Sequence, residues 1–352
     1  MKRSFMKGND AIVCAALSAG CRAFFGYPIT PASEIAHDAM KAFPMAGALA
    51  IQAESEVAAI NMLYGAAAAG NAAMTATSGP GLSLMQEGIS YLAAAQLPAV
   101  IVDIMRSGPG LGNIGPEQSD YFIATKGGGH GHYHTPVYAP NSVQEMFDMT
   151  REAFRTAFQF HTPVLVIADA FIGQMMEIID LADDLPAADE VPEASMPYAN
   201  RVDGSSQTLG NIVSSLELVP EKLQLKNDAR FEKYRQIEET LPDSEVDGPQ
   251  DAQTIVIAFG ICARIGLEAV LAARERGLSI ALFRPKTLWP FPQNELKHIA
   301  QKATRIVVVE CNRGMMAEDI QRFLLRDDIK CVSTDGGIIP TSTQILEILL
   351  KT

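Results

Sequence analysis

Basic residues are scarce in this chain: 28 Lys and Arg stand against 41 Asp and Glu, a formal net charge of −13 over 352 residues. That balance, with a sequence pI near 4.9, excludes a nucleic-acid or anionic-membrane binder, because both need a basic face. A local basic pocket for a small anion stays open. Cysteine is scarce as well. The five cysteines stand at positions 14, 21, 262, 311 and 331. None is spaced C-x-x-C and no His sits at finger spacing, which excludes a structural zinc or a four-Cys iron–sulfur cluster encoded by this chain. So few thiols predict a reduced, cytoplasmic protein rather than a disulfide scaffold. No uninterrupted apolar run reaches the roughly 18–20 residues of a membrane span. The apolar stretch after the polar, basic Met1–Asp10 is broken by Ser18 and Gly20, so it predicts an amphipathic helix and not a signal peptide.

What is present is ordinary globular composition, 48% hydrophobic and 20% charged, in a chain long enough for about two domains at ~100–200 residues each. From Asp10 to about Asp180, short apolar runs alternate with helical patterns. Strands are expected over Ala23–Ile29, Ala48–Gln52, Ala73–Ala76, Ala99–Met105, Val137–Ala139 and Pro163–Asp169. Helices are expected over Ala11–Cys21, after Ser33 as a cap, and over Glu54–Ala69, Leu82–Ala95 and Ser142–Phe158. Such alternation indicates parallel pairing with helices on both faces. Leu181–Met196 then breaks the pattern with acid and Pro, and Glu221–Thr240 reads as an exposed charged helix. After Pro249 a smaller α/β unit follows, with strands over Thr254–Phe259, Ser279–Phe283, Arg305–Val309 and Ile329–Ser333. The fold class is therefore α/β, two doubly wound parallel-sheet domains. The expected divisions are 1–182, an acidic connector at 183–250, and 251–352.

Several motifs carry competing readings. Gly110-Leu-Gly112-Asn-Ile-Gly115 fits G-x-G-x-x-G after a strand, but Pro116 ends it where a dinucleotide fingerprint must open a helix. A strand-end loop beside a ligand site is the better reading, and an NAD-dependent dehydrogenase is weakened accordingly. His130, His132 and His134 could share one face of a strand as metal ligands, yet no local carboxylate completes a site. A Gly-rich loop lending one His to a pocket is favoured. Thr77-Ser-Gly-Pro-Gly81 joins strand to helix, so its amides suit an anion or simply a tight turn. By composition Glu54 and Glu56 are N-terminal helix charges. Arg106, the one basic residue between Ala72 and Lys126, is either a carboxylate anchor at a strand end or half of a structural pair.

Taken together, Lys7-Gly-Asn-Asp10, Gly26-Tyr-Pro-Ile-Thr-Pro31, Glu54-Ser-Glu56, Thr75-Ala-Thr-Ser-Gly-Pro-Gly81 and Gly128-Gly-His-Gly131 resemble the α subunit of 2-oxoacid:ferredoxin oxidoreductases. These are thiamine-diphosphate enzymes that oxidatively decarboxylate 2-oxoacids onto coenzyme A. Arg284-Pro-Lys-Thr-Leu-Trp-Pro-Phe-Pro292 is similar to the transketolase C-terminal-type domain of the same subunit. The layout is nearest the branched-chain (2-oxoisovalerate) group, with the 2-oxoglutarate enzyme next.

The resemblance implies a pyrimidine-binding-type first domain and assigns roles residue by residue. Glu56, not Glu54, matches the carboxylate that drives the aminopyrimidine to its imino form, and so becomes the catalytic candidate. Pro28, Ile29, Ser78 and Gly79 are expected to contact the cofactor. Thr30, Arg106, Tyr27 and His130 are expected to face the substrate, with Arg106 on its carboxylate. His132 and Tyr133 stand where relatives often carry an acid. No Asp-Gly in the chain has the Gly-Asp-Gly…Asn context that holds Mg²⁺ and diphosphate. No metal site is therefore expected in this chain; Mg²⁺, diphosphate contacts and iron–sulfur clusters fall to partner subunits. The implied partners are a β subunit, γ and ferredoxin-like δ subunits, ferredoxin and coenzyme A, with self-association through α subunits. A non-catalytic α/β scaffold is the alternative from another class; joint retention of Thr30, Glu56 and Arg106 argues against it.

Overall fold

The computed structural model describes residues 2–181 and 201–351; most of the Pro-containing acidic stretch of the expected connector lies outside the described residues. In chain order the first part contains β1 (Lys2–Lys7), α1 (Gly8–Ser18), β2 (Ala23–Gly26), α2 (Ser33–Met45), β3 (Leu49–Gln52), α3 (Glu56–Ala68), β4 (Ala73–Thr77) and α4 (Gly79–Ala95). It continues through β5 (Ala99–Met105), α5 (Tyr121–Lys126), β6 (Val137–Tyr138), α6 (Val143–Phe160), β7 (Pro163–Asp169), α7 (Ala170–Gln174) and β8 (Met176–Leu181). After α8 (Pro220–Thr240) come β9 (Ser244–Asp247), β10 (Thr254–Ile257), α9 (Gly260–Glu275), β11 (Ile280–Pro285), β12 (Thr287–Trp289), α10 (Gln293–Ala300), β13 (Arg305–Glu310), α11 (Met315–Leu324), β14 (Lys330–Ser333) and α12 (Ser342–Leu350).

The first sheet runs β12-β6-β7-β5-β4-β2-β3, parallel throughout except for antiparallel β12 at its edge. Its central strands are buried on both faces, which is why Ala99–Met105 and Pro163–Asp169 read as near-continuous apolar runs. One face packs Val100, Val102, Ile104 and Val166 with Ile12, Ile35 and Phe147 of α1, α2 and α6. The other packs Ile101, Met105 and Ile167 with Ile60, Leu63, Leu82 and Met85 of α3 and α4. The second sheet runs β14-β13-β10-β11-β9, with antiparallel β9 at its edge.

The sheets divide the chain differently from the expected connector at 183–250 and unit at 251–352. β9 lies in the second sheet although its sequence, Ser-Glu-Val-Asp, lacks an apolar period. Charge holds it from two sides: Arg284 of the neighbouring β11 reaches Glu245 at 2.6 Å, and Arg274 of helix α9 reaches Asp247 at 2.5 Å. β12 in turn leaves the second unit to close the edge of the first sheet. The polar start, Lys2–Lys7, is a strand paired with β8, a long-range partnership that local pattern does not reveal. Ser33 is not the cap of α2 but its first residue; Ala32 occupies the cap with no side-chain hydrogen bond. Residues 130, 132 and 134 form no strand. His130 and His132 are exposed in a loop, and His134 stacks on Trp289 at 4.7 Å.

Candidate active site

The carboxyl ends of β2, β4 and β5 open on one side of the first sheet, where ligands of open α/β folds bind. Ser55 caps α3, its hydroxyl accepting the Ala58 amide at 3.1 Å. This fixes the start of an Ala-rich helix and sets its register. Glu56 then turns inward and is buried, while Glu54 is exposed. The Glu56 carboxylate lies over Gly81 in the first turn of α4: a Cβ there would sit 2.7 Å from Glu56 Oε1 and overlap the Thr77 hydroxyl. Among the described residues no hydrogen-bond donor reaches that carboxylate. A buried acid without a donor, set against a helix turn that leaves no room for a side chain at Gly81, fits a ring nitrogen of an aminopyrimidine.

Lys7-Gly-Asn-Asp10 supports the next loop from behind. Asn9 donates to Pro31 O at 2.9 Å and to Glu34 at 3.0 Å, Gln174 donates to both, and Lys7 pairs with Glu34 at 3.4 Å. These contacts hold Tyr27–Pro31, in which Tyr27 and Thr30 are exposed and Pro28 and Ile29 half-buried. Arg106, just beyond β5, donates to Thr30 O at 2.8 Å and to Leu111 O at 3.0 Å. It therefore ties the Thr30 loop to the loop that carries Gly110–Gly115, and its Nε is buried with no acceptor. The ion-pair alternative for Arg106 does not occur; no carboxylate lies within salt-bridge distance of it among the described residues.

A cleft of about 710 Å³ opens beside Arg106, lined by Gly79, Ser83, Asp120 and Leu111 from the first unit and by Asn312, Arg313 and Asp335 from the second. Of the candidate residues Arg106 and Gly79 line this cleft; Thr30 is tied to Arg106 through its carbonyl, Ser78 precedes Gly79, and Glu56 lies beside Gly81, two residues further on. His130 is not brought to this cleft: Gly128 N is held by Gln86 at 2.8 Å, farther along α4. Three further residues escaped the sequence reading. Arg313 comes from the other unit, is 80% exposed and pairs with Asp335 at 2.5 Å. Asp103 is the one charged residue in β5 and is 0% exposed; an isolated acid in a doubly buried strand is a signal legible in the sequence. Asp120 sits at the start of α5 and faces Asp103. Burial, then the neighbouring Asp120 charge and hydrogen bond, push Asp103 well above the usual carboxylate range. Burial raises Asp120 to about 6, with the Glu117 charge adding to the rise and Asp103 and Arg106 opposing it.

The loop bearing Arg106 to Asp120 is fastened to the second unit. Gln118 donates to Phe259 O at 2.9 Å and accepts from Cys311 N at 3.1 Å, while its own amide donates to Cys311 O at 2.7 Å. Asn113 donates to Gly336 O at 3.0 Å, and Glu117 accepts from Gly336 N at 3.1 Å.

A parallel sheet with a buried helix-start acid at its open end, backed by a second α/β unit, defines a thiamine-diphosphate-type fold. A split-gene transketolase shares it at a TM-score of 0.60 and 12% identity, over 98% of this chain and 96% of that chain, a likeness of fold alone. Residues 14–237 match the thiamine diphosphate-binding family of pyruvate flavodoxin/ferredoxin oxidoreductases, and 252–345 match pyruvate:ferredoxin oxidoreductase core domain II. The ketoisovalerate oxidoreductase subunit VorB of Methanothermobacter thermautotrophicus is 48% identical, over 99% of this chain and 97% of that protein. The 2-oxoglutarate synthase subunit KorA of Archaeoglobus fulgidus is 37% identical, over 96% of each. A solved 2-oxoglutarate:ferredoxin oxidoreductase from Magnetococcus marinus superposes at a TM-score of 0.86 with 26% identity; it covers 99% of this chain, which spans 64% of that one. The chain belongs to the 2-oxoacid:ferredoxin oxidoreductase family and is an oxidoreductase subunit. None of the described helices is long and apolar enough to cross a membrane.

Proposed function

We propose that the chain is the α subunit of a cytoplasmic, coenzyme A-dependent enzyme that oxidatively decarboxylates 2-oxoisovalerate to an acyl-CoA and CO₂ and reduces ferredoxin. The observation that carries this reading is the buried Glu56 carboxylate, donor-free and set against Gly81. Thiamine diphosphate, when bound, would supply a nucleophilic thiazolium carbon for the chemistry at the 2-oxo group. Glu56 holds a proton between one carboxylate oxygen and the pyrimidine ring nitrogen, the work of a positioned acid–base group. Ser78 Oγ, buried without a partner, and Gly79, Pro28 and Ile29 shape the cofactor's surroundings. Arg106 holds the substrate carboxylate through its guanidinium while the Thr30 hydroxyl and Tyr27 border it; His130, exposed in a loop away from this cleft, takes no part. Mg²⁺, the diphosphate contacts and the iron–sulfur clusters come from a β subunit and ferredoxin-like partners, and α subunits self-associate.

Branched-chain preference is supported by the 48% relative and by the commitment of nearby cations. Lys126 is bound to Asp319 at 2.6 Å and Arg313 to Asp335, so neither charge is free for the second carboxylate of 2-oxoglutarate. The test is kcat/KM for 2-oxoisovalerate, 2-oxoglutarate and pyruvate on the complex reconstituted with its β, γ and δ partners, read with a viologen dye. A preference for 2-oxoisovalerate is expected, with no turnover by this chain alone. Preference for 2-oxoglutarate rejects the substrate, and turnover by the isolated chain rejects the division of the site.

A further inference from the structure

Buried polar atoms without a donor or acceptor are rare in folded proteins, yet among the described residues six belong to β4, β5 and the segments that follow them. They are Thr75 Oγ1, Ser78 Oγ, both Asp103 carboxylate oxygens, Arg106 Nε and Asp120 Oδ2. Asp103 lies opposite Thr77 in the sheet register, on the face covered by α3 and α4. Among the described residues no N–H or hydroxyl reaches Asp103, and the Asp120 carboxyl faces it. Two carboxyls in such contact do not both ionise, and sharing one proton resolves the conflict. Asp120 in turn borders the cleft, its oxygens 3.0 and 3.1 Å from where a Gly79 Cβ would stand.

We propose that Asp103 and Asp120 are a one-proton acid pair that couples occupation of the Arg106 cleft by a substrate carboxylate to uptake of a proton at Asp120. This rests on the reading of Arg106 as the carboxylate anchor. Before substrate arrives, the charges facing Asp120 are Asp103 from β5, Glu117 and Arg106 from the loop, and, across the cleft, the Arg313–Asp335 pair. A carboxylate on Arg106 neutralises the one unpaired cation of this set and adds an anion. Asp120 then takes a proton from solvent, and the pair becomes two neutral carboxyls bonded to each other. Asp103 acts through Asp120 and is a positioning residue. Asp120 discriminates by charge, since a neutral ligand on the same cleft draws no proton.

Two measurements test this. Infrared difference spectra of the full chain, wild type minus Asp103→Asn, should contain the carbonyl stretch of a protonated carboxyl at pH 7. Its absence overturns the acid pair without touching the proposed function. In the reconstituted complex, KM for the 2-oxoacid should rise with pH from about 6 to 8, by at most about tenfold per unit for one linked proton. In Asp120→Asn that slope should vanish, with a lower KM at pH 8. A flat wild-type profile, or a slope retained in Asp120→Asn, overturns the coupling even where the infrared band is present. If Arg106→Met leaves KM unchanged while the band persists, the anchor reading fails and takes the coupling with it, and the acid pair stands.

Discussion

Replacing Gly81 by Ala puts the Glu56 site under a defined steric load. Gly81 is helical with no positive φ, so the backbone accepts Ala, and the consequences come from the added methyl. That methyl would overlap the Thr77 hydroxyl and stand 2.7 Å from both Cγ and Oε1 of Glu56, about 1 Å inside ordinary van der Waals separation. Glu56 is fixed through its backbone by the Ser55 cap, so its carboxylate must swing by roughly that distance. Misplacement of a reacting group by about 1 Å costs ~10²-fold in rate, equivalent to about 2.7 kcal/mol at 1.36 kcal/mol per tenfold. Overpacking costs about 1–3 kcal/mol of stability, offset by about 1 kcal/mol of gained helix propensity, so the variant stays folded. Gly65→Ala is the matched control. It lies in α3 with nothing within 4 Å of the new methyl, and should raise Tm slightly without affecting turnover. Both are read as kcat with 2-oxoisovalerate in the reconstituted complex and as Tm by calorimetry. If Gly81→Ala retains wild-type kcat, the Glu56 carboxylate is not the group this turn of α4 positions, and the catalytic assignment falls with it.

Glu56→Gln in the complex should keep the fold and lower turnover by roughly 10²–10⁴-fold, whereas Glu54→Gln, exposed, should alter only a helix-start charge worth about 0.3–1 kcal/mol; equal losses in a viologen assay would refute the register. Arg106→Met should raise KM by roughly 10–150-fold, from loss of a charge-assisted bond worth about 1.5–3 kcal/mol, and Arg106→Lys should recover part of it. Gln118→Ala should lower Tm, because Phe259 O and Cys311 N lose buried partners at about 1–3 kcal/mol each; an unchanged melting curve would deny that the seam carries stability. Asp120, raised to about 6 by burial, binds more protons folded than unfolded between pH 4 and 6, so its contribution to stability falls as pH rises through that window. Tm of Asp120→Asn minus wild type should therefore grow from pH 4 to pH 7, and a difference independent of pH would contradict the raised value.

The α/β class and the central strands were legible because parallel strands buried on both faces must be apolar along their length, as Ala99–Met105 is. Pairing that depends on distant charge was not legible: β9 is held by Arg284 and Arg274, and nothing in Ser-Glu-Val-Asp announces it. β12 was hidden for a related reason, since a three-residue strand that closes another unit's sheet has no local period. The capping pair Thr341 and Gln344, which starts α12, is a sequence-local signal of the kind that needs no distant partner. Glu56 shows the limit from the other side. Composition makes it an ordinary helix-start charge; the family resemblance picks it over Glu54, and the Ser55 cap, which sets which of the two acids turns inward, is the physical reason.

Asp103 illustrates how a site can be read from what it violates. A lone acid in a strand that is buried on both faces costs several kcal/mol if ionised, and a Val would pack better in its place. The position makes sense only where a second group shares its proton, and Asp120 comes from a loop that local patterning cannot bring to β5. That loop is held by Gln118, Asn113 and Glu117 against backbone groups of the second unit. The second unit therefore does more than add mass to the first. It fixes the segment between Arg106 and Asp120, so the anchor for one anion and the acid that answers it keep their separation when the cleft fills. A loop of the composition Ser-Gly-Pro-Gly-Leu-Gly-Asn would otherwise sample many conformations, and each would place Arg106 and Asp120 differently. Rigidity at the site is thus purchased by contacts made across the molecule, which is why residues far from the chemistry, Gln118 first among them, belong to the same functional unit as Glu56.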